Sequence, residues 1–293
     1  IIVTGGVGYI GSHVVLSALD QGYDVTVFDD LSTANEKNIN LKTKFIEGSI
    51  NSKKDLSKLF VSDKYDAVIH LAASKASGES MLNPKKYAQN NIIGSLNLLI
   101  SCIDYGVKYF IFSSSAAVYG NPMYVPIDEL HPLQPSNYYG HTKLSTENSL
   151  EWFSKIYGLR YASLRYFNAA GFDVDKRVVG KENVELFGWN NTRSWLYIED
   201  FCEAMIKLIE CKEARNEKIN IGSNDEVEVL KLAEIILQKM GLDIPILKHD
   251  APEGSVKRRM PDISKLKSLI DWEPFTTLDE GLQRTVKYWM GRK

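Results

Sequence analysis

Residues 3–12, Val3-Thr4-Gly5-Gly6-Val7-Gly8-Tyr9-Ile10-Gly11-Ser12, set spaced glycines directly after a β-branched run and directly before an apolar segment with helical spacing. Glycine permits a tight turn and lets backbone N–H groups approach a pyrophosphate, and the helix N-terminus adds partial positive charge. Gly5, Gly8, Tyr9, Ile10 and Gly11 are therefore expected to hold a dinucleotide. Asp29 closes the next β-branched run, where a carboxylate accepts hydrogen bonds from an adenosine ribose and repels a 2′-phosphate. NAD is favoured over NADP. Asp30 either faces the same ribose or is a solvated turn residue.

Outward from this turn, short apolar runs alternate with longer amphipathic ones. Ile1 to Val3, Val25 to Phe28, Phe45 to Ile46, Ala67 to Leu71, Tyr109 to Phe112 and Tyr161 to Leu164 are expected as strands. Ile10 to Leu19, Tyr87 to Ile103 and Leu144 to Tyr157 carry apolar residues at helical spacing. The alternation predicts an α/β fold, a doubly wound parallel Rossmann sheet with helices on both faces that binds ligands beyond the strand carboxyl ends. After Asn168 the pattern becomes irregular, and Gly171 to Asn191 predicts a loop. Helical spacing returns at Ile198 to Ile209 and at Val229 to Met240. A last helix is expected where Thr277 and Glu280 can form a capping box, with Leu278, Leu282, Val286 and Trp289 on one side. The expected division is a Rossmann domain over residues 1–168 and, over residues 169–293, mainly a smaller C-terminal α/β substrate lobe with returns to the sheet.

Composition narrows the partners. The 293 residues carry a formal charge of −2, with 44% hydrophobic and 25% charged residues, so a packed core is expected and nucleic acid is not. Cys102, Cys202 and Cys211 lack the spacing of a disulfide framework or zinc site and are expected to be buried packing residues. The five histidines form no metal set; His70 is expected in the core, and His141 pointing away from any ligand. No apolar stretch is long enough to cross a bilayer, and a reducing cytoplasm fits best. The chain begins at Ile1 within an apolar run, consistent with a natural start that has been trimmed.

Tyr139-Gly140-His141-Thr142-Lys143 sets a phenol and an ammonium four residues apart, on one side of an expected helix. A free tyrosine has a pKa of about 10, so Tyr139 can act as a base near neutrality only beside positive charge, which Lys143 and a nicotinamide cation supply. The run Phe112-Ser113-Ser114-Ser115-Ala116-Ala117-Val118-Tyr119-Gly120 follows a strand and delivers hydroxyls to its ligand edge, which makes Ser115 a third catalytic candidate.

Together with Leu164-Arg165-Tyr166-Phe167-Asn168, these motifs resemble the UDP-glucose 4-epimerases among the extended short-chain dehydrogenase/reductases, most closely from Ile1 to about Gly171. The resemblance implies an isomerase in which Tyr139 removes the sugar 4-hydroxyl proton while C4 gives hydride to NAD. Ser115 shares the proton path, Lys143 holds the nicotinamide ribose, and a transient 4-keto sugar rotates and is reduced on its other face. It further implies NAD contacts from Ser49, Ile50, Leu71, Ala72, Ala73, Lys75, Asn91, Ser113 and Tyr166. Substrate contacts, with a UDP-hexose, would come from Lys75, Ser115, Ala116, Ala117, Tyr139, Phe167, Asn168, Arg193 and Arg258. Arg193 would grip the diphosphate, and Tyr87 to Ile103 with Leu144 to Tyr157 would form a homodimer interface.

Departures from the pattern bear on the sugar. Ser49 replaces an aspartate, Pro252 an arginine and Ser255 an aspartate, and the stretch from Asn168 to Arg193 is short, through a deletion or an omitted segment. A nucleotide-sugar dehydratase or decarboxylase shares the tyrosine and lysine but calls for an acid where Ala116 and Ala117 stand. Another epimerase, a net oxidoreductase and a non-catalytic NAD sensor are the remaining alternatives.

Overall fold

The computed structural model describes residues 1–33, 38–170, 184–251 and 255–290, with the side chains of Ala170 and Trp289 excepted. The first six strands are β1 (Ile2–Thr4), β2 (Thr26–Asp29), β3 (Lys44–Glu47), β4 (Ala67–His70), β5 (Tyr109–Ser113) and β6 (Arg160–Tyr166). Between them run helices α1 (Tyr9–Asp20), α2 (Lys53–Val61), α3 (Ser77–Leu82), α4 (Pro84–Tyr87), α5 (Gly94–Asp104) and α6 (Tyr138–Tyr157). The later elements are β7 (Ala169–Ala170), β8 (Val184–Phe187), β9 (Thr192–Ser194), β10 (Leu196–Tyr197), α7 (Ile198–Glu210), β11 (Glu217–Ile221) and β12 (Glu226–Glu228). They close with α8 (Val229–Met240), β13 (Ile246–His249), β14 (Arg258–Arg259), α9 (Ser264–Ile270) and α10 (Leu278–Met290).

A seven-stranded sheet in the order β11-β6-β5-β4-β1-β2-β3 is parallel throughout. Its central strands β4 and β5 are buried along their length and largely apolar on both faces, as a sheet covered by helices on both sides requires. On one face Val3, Ile69, Ile111 and Leu164 pack with Val14 and Val15 of α1 and Phe201 and Met205 of α7. On the other, Ile2, Val68 and Phe110 pack with Leu56 of α2, Leu98 of α5 and Leu150 of α6. The order reverses between β1 and β4, which opens a crevice at their carboxyl ends.

Three expectations change. The helix expected from Tyr87 to Ile103 is α4, a π-helical stretch over Ala88–Ile93 and then α5, because apolar spacing is blind to a one-residue change of pitch. Helix α6 starts six residues before Leu144, at Tyr138, where the Asn137 side chain accepts from the Gly140 N–H at 2.9 Å. Within the expected Gly171 to Asn191 loop, Val184–Phe187 forms β8 by pairing with β13, a partner some sixty residues on that local pattern does not reveal; residues 171–183 lie outside the described residues. The capping box forms as expected, Thr277 N and Glu280 N each donating to the other's side chain at 3.0 and 3.3 Å. Strands β12, β9 and β14 make a small separate sheet, and α8 follows β12 directly.

Candidate active site

Gly5 adopts a φ of +71°, and a Cβ there would meet the Ala72 backbone N at 2.7 Å. A Cβ on Gly11 would come within 2.0 Å of the Gly5 carbonyl, so the turn between β1 and α1 packs too closely for any side chain at either position. Gly8 begins α1 without a side-chain cap and without an acid in the first turn, leaving the helix N-terminus suited to an anion. The Asp29 carboxylate accepts from Val7 N at 3.0 Å and Leu31 N at 2.9 Å. Burial pushes this carboxyl up, against the pull of those two donors. These residues fit the dinucleotide that the glycine spacing implies.

The turn opens on a cavity of about 470 Å³ at the carboxyl edge of the sheet. Gly5, Gly8, Tyr9, Ile10, Gly11, Asp29, Asp30 and Ile50 line one end; Leu71, Ala72, Ala73, Lys75, Ser113, Tyr139, Lys143 and Tyr166 line the rest. One wall thus gathers residues from the ends of β1, β2, β4, β5 and β6 and the first turns of α6. Asn38, Ser74 and Glu79 also line it, and nothing in the local sequence pattern around them marks them. Asn38 holds the glycine turn by donating to the Val7 carbonyl at 3.2 Å.

Lys143 is nearly sealed from solvent at 3% exposure, and its ammonium donates to the Ser113 carbonyl at 2.7 Å. Burial pulls this amine down to about 7, while Glu147 acts in the opposite direction. Its nitrogen lies 5.8 Å from the Tyr139 ring centroid. Burial raises the Tyr139 phenol; hydrogen bonding from Ser115 and the charge of Arg259 favour the phenolate. Ser115 caps the short turn Ala116–Tyr119 by accepting from Ala117 N at 3.1 Å. A phenol, a hydroxyl and a buried amine thus share one edge, a set of groups suited to exchanging a proton with a bound ligand.

Other expected contacts take different places. Asn91 stands one layer behind the cavity. Its amide accepts from Ser74 N and donates to Ser74 O, both at 2.9 Å, and donates to Thr142 Oγ1 at 3.1 Å. It thereby fixes a cavity-lining residue and α6 rather than lining the cavity. Ser49 bonds Asp30 at 3.3 Å. Ala116 and Ala117 are buried, and Gly140 packs so near the Ala117 carbonyl that a Cβ would meet it at 2.5 Å. Phe167 is buried beside Tyr119, and Asn168 spends its amide on the Ser194 carbonyl at 2.8 Å. Arg258 does not point to the cavity side: its Nε donates to both oxygens of Glu226, at 2.9 and 2.8 Å, on an exposed face. Successive strand residues face opposite ways, and the next residue, Arg259, is the one that faces Tyr139 electrostatically. The Pro252 substitution lies outside the described residues. As expected, His70 is buried at 2% exposure and His141 is turned outward, stacked on Tyr138; Cys211, expected to be buried, is only half-buried.

Sheet order, glycine turn and tyrosine–lysine pair define a nicotinamide-dinucleotide enzyme of the short-chain dehydrogenase/reductase class. Residues 1–222 match the NAD dependent epimerase/dehydratase family, and the chain belongs to it. A putative UDP-glucose 4-epimerase of Methanocaldococcus jannaschii is 35% identical over 99% of this chain and 98% of its own. The UDP-glucose 4-epimerase of Thermotoga maritima, solved with UDP-glucose, superposes with a TM-score of 0.94 at 36% identity, covering 99% of this chain and 98% of that one. A UDP-N-acetylglucosamine 4-epimerase of Methanobrevibacter ruminantium, in complex with UDP-N-acetylmuramic acid, gives 0.89 at 32% identity, covering 100% and 98%.

Proposed function

We propose that the protein inverts C4 of a nucleotide sugar, with UDP-glucose and UDP-galactose as the pair its relatives' activities indicate. The observation that carries the reading is the placement of Tyr139, Ser115 and Lys143 at the sheet edge that also bears the glycine turn. Bound NAD supplies the hydride acceptor and donor. Tyr139 then takes the 4-hydroxyl proton, with the Ser115 hydroxyl beside it to share the proton. Lys143, anchored on the Ser113 carbonyl, orients the cofactor ribose. Arg193 serves the diphosphate; its guanidinium is steadied by the Thr192 carbonyl at 2.7 Å, and the planar fork suits phosphate oxygens.

Ala116 and Ala117 supply no additional acid for elimination, which favours epimerisation over dehydration. The same helices that flank the catalytic edge present Ile100, Trp152 and Ile156 to solvent, and we place a homodimer contact there. The half-exposed free Cys211 suits a reducing cytoplasm. Incubated with UDP-galactose, the NAD-loaded protein is expected to form UDP-glucose with no net rise in absorbance at 340 nm. Stoichiometric accumulation of reduced cofactor would instead identify a net oxidoreductase.

A further inference from the structure

Strands β9 and β14 run parallel with Arg259 beside Arg193, about 4.8 Å apart at the backbone. Arg259 has a buried Nε with no hydrogen-bond partner among the described residues. Glu226 of β12, within this sheet, is already taken by both Thr192 and Arg258. Arg193 and Arg259 are register neighbours on one face of this sheet, and among the described residues no carboxylate is bonded to either, an arrangement that costs stability unless an anion joins them. The strand that carries Arg259 is held firmly: Ile127 N donates to the Met260 carbonyl at 2.9 Å, and Asp262 N to the Ile127 carbonyl at 2.7 Å. Ile127 packs with Ala116 and Val118 of the turn that follows Ser115.

The two arginines are distinguished by their surroundings: Arg259 is the one whose charge reaches Tyr139, whereas Arg193 is steadied by the Thr192 carbonyl. In a nucleotide sugar the diphosphate leaves C1, across the ring from the C4 on which Tyr139 would act, while Arg259 lies on the Tyr139 side. A neutral hexose leaves its guanidinium unmatched. We infer that Arg259 is a specificity-determining residue that grips a carboxylate on the sugar ring, extending the substrates of the proposed C4 epimerisation to nucleotide hexuronates and preferring them to neutral hexoses. The burial of Arg259 and, after it, the repulsion from Arg193, which together bring its guanidinium down to about 10, are what a bound carboxylate would relieve.

The inference rests on the epimerase reading, and the experiment separates the two. Wild-type, Arg259→Met and Arg259→Lys proteins, NAD-loaded and matched for thermal stability, are assayed with UDP-glucose and UDP-glucuronate, and binding of each is measured by titration calorimetry. The wild type is expected to show a kcat/KM for UDP-glucuronate at least tenfold that for UDP-glucose. Arg259→Met should cut that ratio by tenfold or more, mainly through KM, and Arg259→Lys should restore part of it, because a point charge replaces the fork only incompletely. Equal losses on both sugars would assign Arg259 to the diphosphate, if carried by KM, or to the Tyr139 phenolate, if carried by kcat, and either would overturn the inference, as would turnover of UDP-glucose with no preference for the uronate. If the wild type turns over neither, the epimerase reading fails; the calorimetric ratio then still decides whether Arg259 selects the carboxylate.

Discussion

At the scale of single residues, the site combines one group made reluctant to ionise with neighbours that ease it. Tyr139 is raised by burial, and Ser115 and Arg259 pull in the other direction. Replacing Tyr139 by Phe should leave NAD retention intact, since the glycine turn is untouched, and lower kcat by about 10²–10⁴-fold; retained turnover would assign the base elsewhere. His70 shows the opposite use of burial. Its Nδ1 meets Thr4 Oγ1 at 2.7 Å and its Nε2 meets Ser95 Oγ at 2.8 Å, while Ser95 donates onward to the Asn91 carbonyl at 2.6 Å. Ser95 has thus committed its proton, so Nε2 carries the ring hydrogen and Nδ1 accepts from Thr4. Burial, with the charge of Lys143 adding to it, holds the folded-state pKa at about 3, against 6.5 for a free imidazole. Because the folded state binds fewer protons, this contribution to stability is complete above pH 6.5 and erodes as pH falls toward 3. Relative to a His70→Gln variant, the wild type should lose about 1.4 kcal/mol per pH unit below that point in urea titrations. Parallel pH profiles for the two proteins would contradict the neutral, buried imidazole.

At the scale of elements, buried polar links tie the helices to the strand ends that carry the chemistry. Thr4 of β1, His70 of β4, Ser95 of α5 and Asn91 of the π-helical stretch form one chain of hydrogen bonds behind the cavity, and Asn91 extends it to Thr142 of α6. The change of helical pitch at Ala88–Ile93 is what brings Asn91 into line with Ser74 and Thr142. A second link joins α6 to β6. Arg165 donates from Nε and Nη2 to the two oxygens of Glu147, at 3.0 and 2.7 Å, and Glu147 also accepts from Ser114 at 2.5 Å. Glu147 is one turn beyond Lys143, so the pair sets the height of Lys143 against the end of β5. Glu147→Ala strands a fully buried guanidinium and should cost roughly 3–5 kcal/mol in equilibrium unfolding. A loss below 1 kcal/mol would show that the guanidinium finds another partner or water.

At the scale of the whole molecule, the apolar residues left outside are as informative as those within. Ile100 of α5 and Trp152 and Ile156 of α6 are exposed by 47%, 62% and 64% on helices whose other faces are deep in the core, a distribution that favours a protein partner over water. A second copy meeting this face would bury the two helices of each chain together without obstructing the cavity edge. Sedimentation equilibrium should report a dimer, and Trp152→Asp should shift it to monomer while NAD binding persists. A wild-type monomer at micromolar concentration would remove this interface.

The doubly wound sheet, the dinucleotide turn, Asp29 and the Tyr139–Lys143 spacing are legible in the order of the residues, because each depends on local periodicity, on glycine's freedom or on positions one helical turn apart. It takes the folded chain to see that Asn91 supports the cavity from behind, that Asn168 is spent on Ser194, that Arg258 turns outward while Arg259 turns in, and that Val184–Phe187 is a strand. Each of these depends on a partner far away in the chain, and a side chain's facing is fixed by the element it packs against, which no local pattern records.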